Sequence, residues 1–579
     1  MPPSRTAGRE LSSVRAATYR DALGTPRPRA LPCLRRDCLR FWFYLVIGIA
    51  ALVAAPILVI VAHLFVPASE HWQHLATTVL PRYVTNSLLL MVGVGAGTLA
   101  VGVSTAWLVS MTNFPGRRFF EWSLIVPLAI PSYVIAFTYT GLLEFSGPVQ
   151  TFLREMFGWR TAADYWFPQI RSMPGAIAMM TLVFYPYVYM LSRAAFLEQS
   201  VCVLDASRTL GRGAWSTFFG VALPLARPAV AGGLALALME TLADFGTVSF
   251  FSVDTFVTGI YRIWKGMWQP AVAAQLGAVL MLFILALILL ERWSRRGRVS
   301  HTTGYYRQLP RFQLRGVSAG LAFLACAVPV FFGFLLPVTA MVVWTRQTWH
   351  LVDSRYLEMA LSSLMLAAIS AVIAVGTAVI LAYGRRLVPG RVTSVAVQTA
   401  ALGYAVPGAV IALGIMIPFA FLDNAIDDLA RRIFGFSTGL LLTGTWTALV
   451  FAYVVRFLAV SSNTIEASLQ KVTPSMDGAA RTLGHSAGQT LRRVHGPIMR
   501  ASLLTAGVLV FVDVMKELPA TLMMRPFGLN TLAIRSFELA SDGLLKESAG
   551  PSLAIVLAGL IPVVLASVMI ARSRPGYAG

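Results

Sequence analysis

Twelve apolar stretches, each long enough to cross a bilayer as a helix, take up most of the chain. They run at about 41–66, 85–112, 120–144, 173–197, 228–251, 271–290, 317–344, 358–383, 394–421, 439–460, 500–524 and 549–571. A hydrocarbon core needs roughly 20 helical residues. In lipid the backbone must satisfy its own polar groups, so only helices or closed barrels cross. Barrel strands of roughly 10 residues are too short to account for these runs. Only 13% of residues are charged, against about 25% in soluble domains. The chain is therefore expected to be an all-α membrane protein with 12 transmembrane helices.

The net charge of +21 orients the protein rather than binding nucleic acid. With both termini placed in the cytoplasm, inner segments carry 32 of the 47 Lys and Arg and outer segments 13; Arg456 and Lys516 fall within apolar runs. That bias follows the positive-inside rule. No basic, aromatic-interleaved soluble domain exists to hold nucleic acid. Residues 1–40 carry nine Arg among scattered Pro and Gly and read as a disordered cytoplasmic tail touching anionic headgroups, not as a cleaved signal. Four cysteines, Cys33, Cys38, Cys202 and Cys326, are too scattered for a disulfide framework. The pair His71-x-x-His74 lies beside Trp72 in an outer loop and reads as interfacial.

A 22-residue segment, Ala206 to Arg227, recurs at an offset of 273 as Ala479 to Arg500, with ten identities. Both copies contain Arg-Thr-Leu-Gly (208–211 and 481–484) and a later proline, Pro224 or Pro497. Asn86-Ser87-Leu88 is likewise echoed by Ser362-Ser363-Leu364, and the PSYVIA of 131–136 by the PGAVIA of 407–412. The reading is two parallel six-helix repeats, a plan that sets a transport path between the halves. The expected domains are the tail 1–40, a first transmembrane domain 41–290, a basic linker 291–316, a second domain 317–572 and a short tail 573–579.

Each repeated segment lies between two apolar runs, in a polar loop spanning 198–227 or 461–500. Small residues ending at Gly211 or Gly484 predict a short helix with a glycine stop. Ala206, Ser207, Ala479 and Ala480 would let a partner protein approach closely, whereas a helix resting on lipid would favour large apolar side chains. A symmetric partner docking through both loops is the expectation.

The same offset pairs Glu240 with Asp513 and Asp244 with Glu517. Each half would thus carry two carboxylates four apart on one helix face. At about 1.5 Å per residue from Arg227, Glu240 lies roughly 20 Å along the helix and Asp244 about 25 Å. An ionised group at mid-membrane costs about 2.5–3.5 kcal/mol, so these acids and Lys516 should line an aqueous path or satisfy one another. Arg193 and Arg456 read as helix-end charges. No G-x4-G-K-[ST] phosphate loop is present, so ATP hydrolysis by that route needs another chain. A membrane enzyme would need a nucleophile–base or metal constellation, and none appears in the sequence.

The loops resemble the E-A-A-x3-G-x9-I-x-L-P signature of ABC importer permeases. The first copy reads Asp205-Ala206-Ser207, Gly211, Val221, Leu223-Pro224; the second reads Gly478-Ala479-Ala480, Gly484, Val494, Gly496-Pro497, with Asp477 beside the missing acid. Met239 to Thr247, Val253 to Phe256, Thr258 to Arg262, Lys516 to Thr521, Arg525 to Gly528 and Phe537 to Ala540 are similar to the fused permeases of ferric-iron importers. The resemblance covers about residues 40–575. It implies a type I ABC importer fold in the bacterial inner membrane. The partners implied are two copies of a cytoplasmic ATPase, which uses ATP and Mg, and an outer substrate-binding protein. No cofactor would be bound by this chain. Relatives moving thiamine or phosphonate share the plan, and a proton-driven secondary transporter is the other class the sequence admits; the duplicated loop favours the importer.

Overall fold

The computed structural model describes residues 36–67, 70–199, 207, 209–211, 213–295, 311–351 and 354–572. The first half contains α1 (Arg36–Ala62), α2 (Leu80–Met111), α3 (Arg117–Ser123), α4 (Ser132–Leu143), α5 (Met173–Glu198), α6 (Leu223–Ala243), α7 (Gly246–Phe250), α8 (Phe256–Met267) and α9 (Pro270–Arg295). The second contains α10 (Val317–Val330), α11 (Leu336–Gln347), α12 (Ser354–Leu387), α13 (Arg391–Ala400), α14 (Gly408–Phe434), α15 (Trp446–Leu469), α16 (Pro474–Thr482), α17 (Gly496–Met515), α18 (Pro519–Met524), α19 (Leu532–Ser541) and α20 (Ala549–Arg572). Two dipeptides, β1 (Thr112–Asn113) and β2 (Phe312–Gln313), pair in parallel.

Ten of the described helices are long and apolar enough to cross a membrane. The run expected at 120–144 is instead a broken pair bent by 91°. Pro127 and Pro131 lie at the break; proline lacks the amide that would continue the ladder and disfavours a helical residue before it. The run at 394–421 is also divided. Its crossing helix, α14, starts after the extended Pro407 and continues to Phe434. The last run forms α20.

Matching devices recur in the two halves. The N-caps Ser172 and Thr445 accept backbone bonds from Gly175 and Ala448. A π-turn occupies Phe218–Ala222 and again Leu491–His495. The echoed Asn86-Ser87 and Ser362-Ser363 tie this helix to later turns: Asn86 donates to the Asp254 carbonyl at 2.8 Å, and Ser363 accepts from the Leu532 amide at 2.9 Å.

The halves are interlocked rather than merely adjacent. Helix α1 packs against α12, α13 and α14, while α11 and its preceding π-turn pack against α4 and α5. Tyr139 on α4 donates to the Phe332 carbonyl at 2.7 Å. The result is a large core, drawing on both halves, around an axis lined by α4, α5, α6, α15 and α17, with a smaller second cluster about Trp107, Tyr189 and Cys326.

Candidate functional site

The runs 228–251 and 500–524 do not form single helices. Helix α6 stops at Asp244, whose backbone is extended at φ −65°, ψ 130°, and α17 stops at Lys516. At each break the second acid turns back to cap the next short helix. Asp244 accepts from the amides of Thr247 and Val248 at 3.0 and 3.2 Å. Glu517 accepts from those of Ala520 and Thr521, both at 2.9 Å. Carboxylates satisfy the orphan amides of a helix start and favour its positive dipole end. The expectation of two acids on one helix face is thus corrected, since the break rotates the second acid off that face.

All five sequence-identified pathway residues, Glu240, Asp244, Asp513, Lys516 and Glu517, line one central cavity. Tyr187, Tyr404 and Arg456 line it too, and its walls come from both halves. Arg456 was expected to be a helix-end charge. It lies in the middle of α15, where it bonds Glu517 at 2.7 Å, with 12% and 1% of the two side chains exposed. Arg193, by contrast, meets Glu121 at 3.5 Å near the end of α5. Lys516 pairs with Asp513 at 2.9 Å. Glu240 accepts from the Tyr404 phenol at 2.9 Å and, alone among the four acids, has neither a cation nor a backbone amide bonded to its side chain among the described residues.

The two halves solve the same problem differently. Ser132 donates to Asp244. The matching position in the second half is Gly408, where an added β-carbon would collide with both the Arg456 guanidinium and the Glu517 carboxylate. A missing side chain in one half thus makes room for an arginine that the other half lacks. Nothing in the sequence pattern of Gly408 marked this role; the signal was Arg456, a charge inside an apolar run.

The pair should carry real stability, because removing one member of a buried pair leaves the other charge uncompensated, at about 3–5 kcal/mol. Arg456→Ala is expected to lower the Tm of detergent-purified protein substantially, and Arg456→Ala with Glu517→Gln should recover much of it. A double variant no more stable than Arg456→Ala would show that the guanidinium matters for packing instead.

Beyond the cavity, Phe537 packs against Phe137 and Phe245 at 6.2 and 5.7 Å between ring centres. This aromatic cluster joins the halves on the side of the short helices that follow the two breaks. The cavity itself is about 90 Å³, room for roughly six to nine waters at 10–15 Å³ each.

The duplicated loop lies at the opposite ends of α6 and α17. In the second copy, α16 carries Asp477, Gly478, Ala479 and Ala480 and ends before Gly484, whose φ of +81° suits glycine. Gly211 repeats that geometry at φ +77°. Ala480 and Ser207, equivalent in the repeat, are both buried, while Ala479 is exposed. Ser207 Oγ lies 2.9 Å from Thr217 Oγ1. Asp205 and Ala206 lie outside the described residues. Asp477, the acid displaced by one position, accepts from Arg386 at 2.9 Å and bonds His495 at 2.6 Å. Arg386 also donates to the carbonyls of Leu469 and Val472. The short helix is thereby locked to the ends of α12 and α15 and to the π-turn ahead of α17. Sequence reasoning passed over Leu210 and Leu483, which stand 79% and 77% exposed at equivalent positions. The repeated tetrapeptide contained that signal, since a solvent-facing leucine conserved between two copies marks a contact surface.

A membrane body of interlocked halves, with acids gathered on its axis and a duplicated element at one end, defines a solute permease. Residues 98–299 match the family of binding-protein-dependent transport system inner membrane components. The Fe(3+)-transport system permease protein FbpB 2 of Haemophilus influenzae is 26% identical over 84% of this chain and 89% of its own length. The ferric transport system permease protein FbpB of Actinobacillus pleuropneumoniae is 25% identical over 76% of this chain and 64% of its own. The molybdenum transport system permease protein ModB of Escherichia coli is 27% identical, over 34% of this chain and 86% of its own. Residues 98–299 thus carry the permease domain of a binding-protein-dependent importer, and the chain has the size of a fused, two-half permease. As such it is an inner-membrane transport subunit that works with an ABC ATPase on a separate chain and with a substrate-binding protein.

Proposed function

We propose that this permease carries ferric iron inward by alternating access, with Glu240, Asp244, Asp513, Lys516 and Glu517 lining the route. The carrying observation is the cavity, where four carboxylates face two cationic side chains, Lys516 and Arg456, and two phenols, Tyr187 and Tyr404. Hard oxygen donors suit a hard trivalent cation, and a net negative wall repels oxyanions such as molybdate or sulfate. The acids line a path and do not form a cage: among the described residues no group of three or more His, Cys, Asp or Glu is disposed to hold a metal ion. The likeness to ferric permeases points the same way, since it spans 84% of the chain in the Haemophilus relative whereas the molybdenum relatives cover about a third.

Two ATPase copies, using ATP and Mg, would dock on the 198–227 and 461–500 loops with both termini on their side of the membrane, as the basic bias favours. The exposed leucines Leu210 and Leu483 would enter one groove on each copy, alongside Ala206 and Ala479. The binding protein would engage the opposite face.

Radiolabelled iron uptake by cells lacking the permease and then complemented with it tests the reading. Ferric iron should accumulate, and excess molybdate or sulfate should not compete. Accumulation of molybdate with no iron signal would overturn the substrate assignment.

A further inference from the structure

We propose that the permease binds an anionic phospholipid at the junction of β1 and β2. This ladder ties the segment entering α10 to the end of α2, with Leu314 donating to the Asn113 carbonyl at 3.1 Å and Asn113 to Gln313 at 3.0 Å. Side chains alternate across a strand, and here the two faces differ in character. Thr112, Phe312 and Leu314 line an apolar groove; Asn113, Arg311 and Gln313 line a basic pocket.

The groove has a volume of about 940 Å³ and runs between α2, α6 and α10, all parts of membrane-crossing helices. Trp107, Phe218, Phe219, Leu223, Leu321 and Ala325 are among its walls. A crevice of this kind between lipid-facing helices is filled by acyl chain, because leaving it empty would forfeit dispersion contacts on every side. Trp215, 72% exposed at the end of the groove nearest the duplicated loop, is the kind of residue that settles at the headgroup level.

The pocket beyond the ladder supplies the charge. Arg117 is buried and engaged by Glu121, so it contributes little. Arg118 is exposed and has no protein partner among the described residues, and Arg311 reaches the same pocket while bonding the Ser110 carbonyl at 3.4 Å. Two guanidiniums set just outside an acyl-sized groove match a phosphate headgroup with its tails in the groove. Basic pockets at helix ends bind anionic lipid heads in this way. On the orientation proposed above, the lipid belongs to the leaflet facing the ATPase.

Native mass spectrometry of the purified full chain, titrated with phosphatidylglycerol or phosphatidylcholine of matched tails, tests the site. Wild type should retain phosphatidylglycerol preferentially. Arg118→Gln should cut that preference roughly fivefold, the effect of one arginine near a charged surface, and Arg118→Gln with Arg311→Gln should cut it further. Ala325→Trp, which fills the groove, should reduce retention of both lipids. Equal retention of the two lipids by wild type, or an unchanged preference in Arg118→Gln, would overturn the proposal. So would displacement of phosphatidylglycerol by millimolar inorganic phosphate, since the pocket would then be a free-anion site. Because Arg118 is exposed and has no partner among the described residues, its variant tests the headgroup contact even if altering Arg311 loosens the ladder.

Discussion

Leu483→Asp combined with Leu210→Asp is expected to reduce iron uptake below about a tenth of wild type while the protein still inserts at normal levels. Both leucines are largely exposed, so their replacement should cost contact with the ATPase and little else. An apolar anchor that acts as an interface hot spot is worth ~2 kcal/mol or more, and a carboxylate placed there adds an unpaired charge to its loss. Charge or bulk at Ala206 or Ala479 should act similarly; Ala479 is exposed on α16, and an exposed small residue marks where the partner comes close. Co-purification of the ATPase supplies the check. Tagged wild-type permease should bring the ATPase down and the double variant should not. Normal uptake by the double variant, at matched protein levels, would remove these loops from the coupling mechanism.

A variant at Asp477 tests how force is transmitted. In the second half, Asp477 is tied to Arg386 and His495, so the short helix α16 cannot move without α12 and the start of α17. Asp477→Asn keeps the shape but weakens both ties. Its expected signature is retained ATPase binding with uncoupled hydrolysis, meaning ATP turnover that no longer scales with iron uptake. Loss of ATPase binding in Asp477→Asn would instead make the acid part of the docking surface.

Much of this architecture was legible because lipid imposes a simple rule on sequence. The apolar runs marked crossing helices, and a fixed offset of 273 links Glu240 with Asp513 and Asp244 with Glu517 in the sequence alone. Their convergence on one cavity follows from that symmetry. The helix breaks at Asp244 and Lys516 were not legible, because hydropathy is blind to a carboxylate that caps the following helix from inside an apolar stretch. Arg456 was misread for a related reason. Its partner, Glu517, is 61 residues away, and the gap that admits it is made by Gly408, a residue whose meaning lies in what it lacks. The breaks at Pro131 and Pro407 grow from hexapeptides that share four residues, so local sequence marks the same break in both halves.

Neutralising Glu240 or Asp513 is expected to impair uptake without releasing the ATPase, and the comparison with Lys516 separates two physical roles. Glu240→Gln removes the one cavity acid held only by a phenol, so it should reduce uptake about tenfold, equivalent to ~1.4 kcal/mol at the limiting step. Asp513→Asn should be more severe, because it also strips Lys516 of its partner and leaves a bare ammonium facing the incoming cation. Adding Lys516→Met to Asp513→Asn restores the net charge without restoring the carboxylate. If the cavity works through its field, the double variant should recover most of the lost uptake. If Asp513 contacts the ion directly, the ammonium is irrelevant and the double variant should stay as poor as Asp513→Asn. Full uptake in every one of these variants would return the acids to a structural role, holding helix ends together around an axis that the cargo does not use.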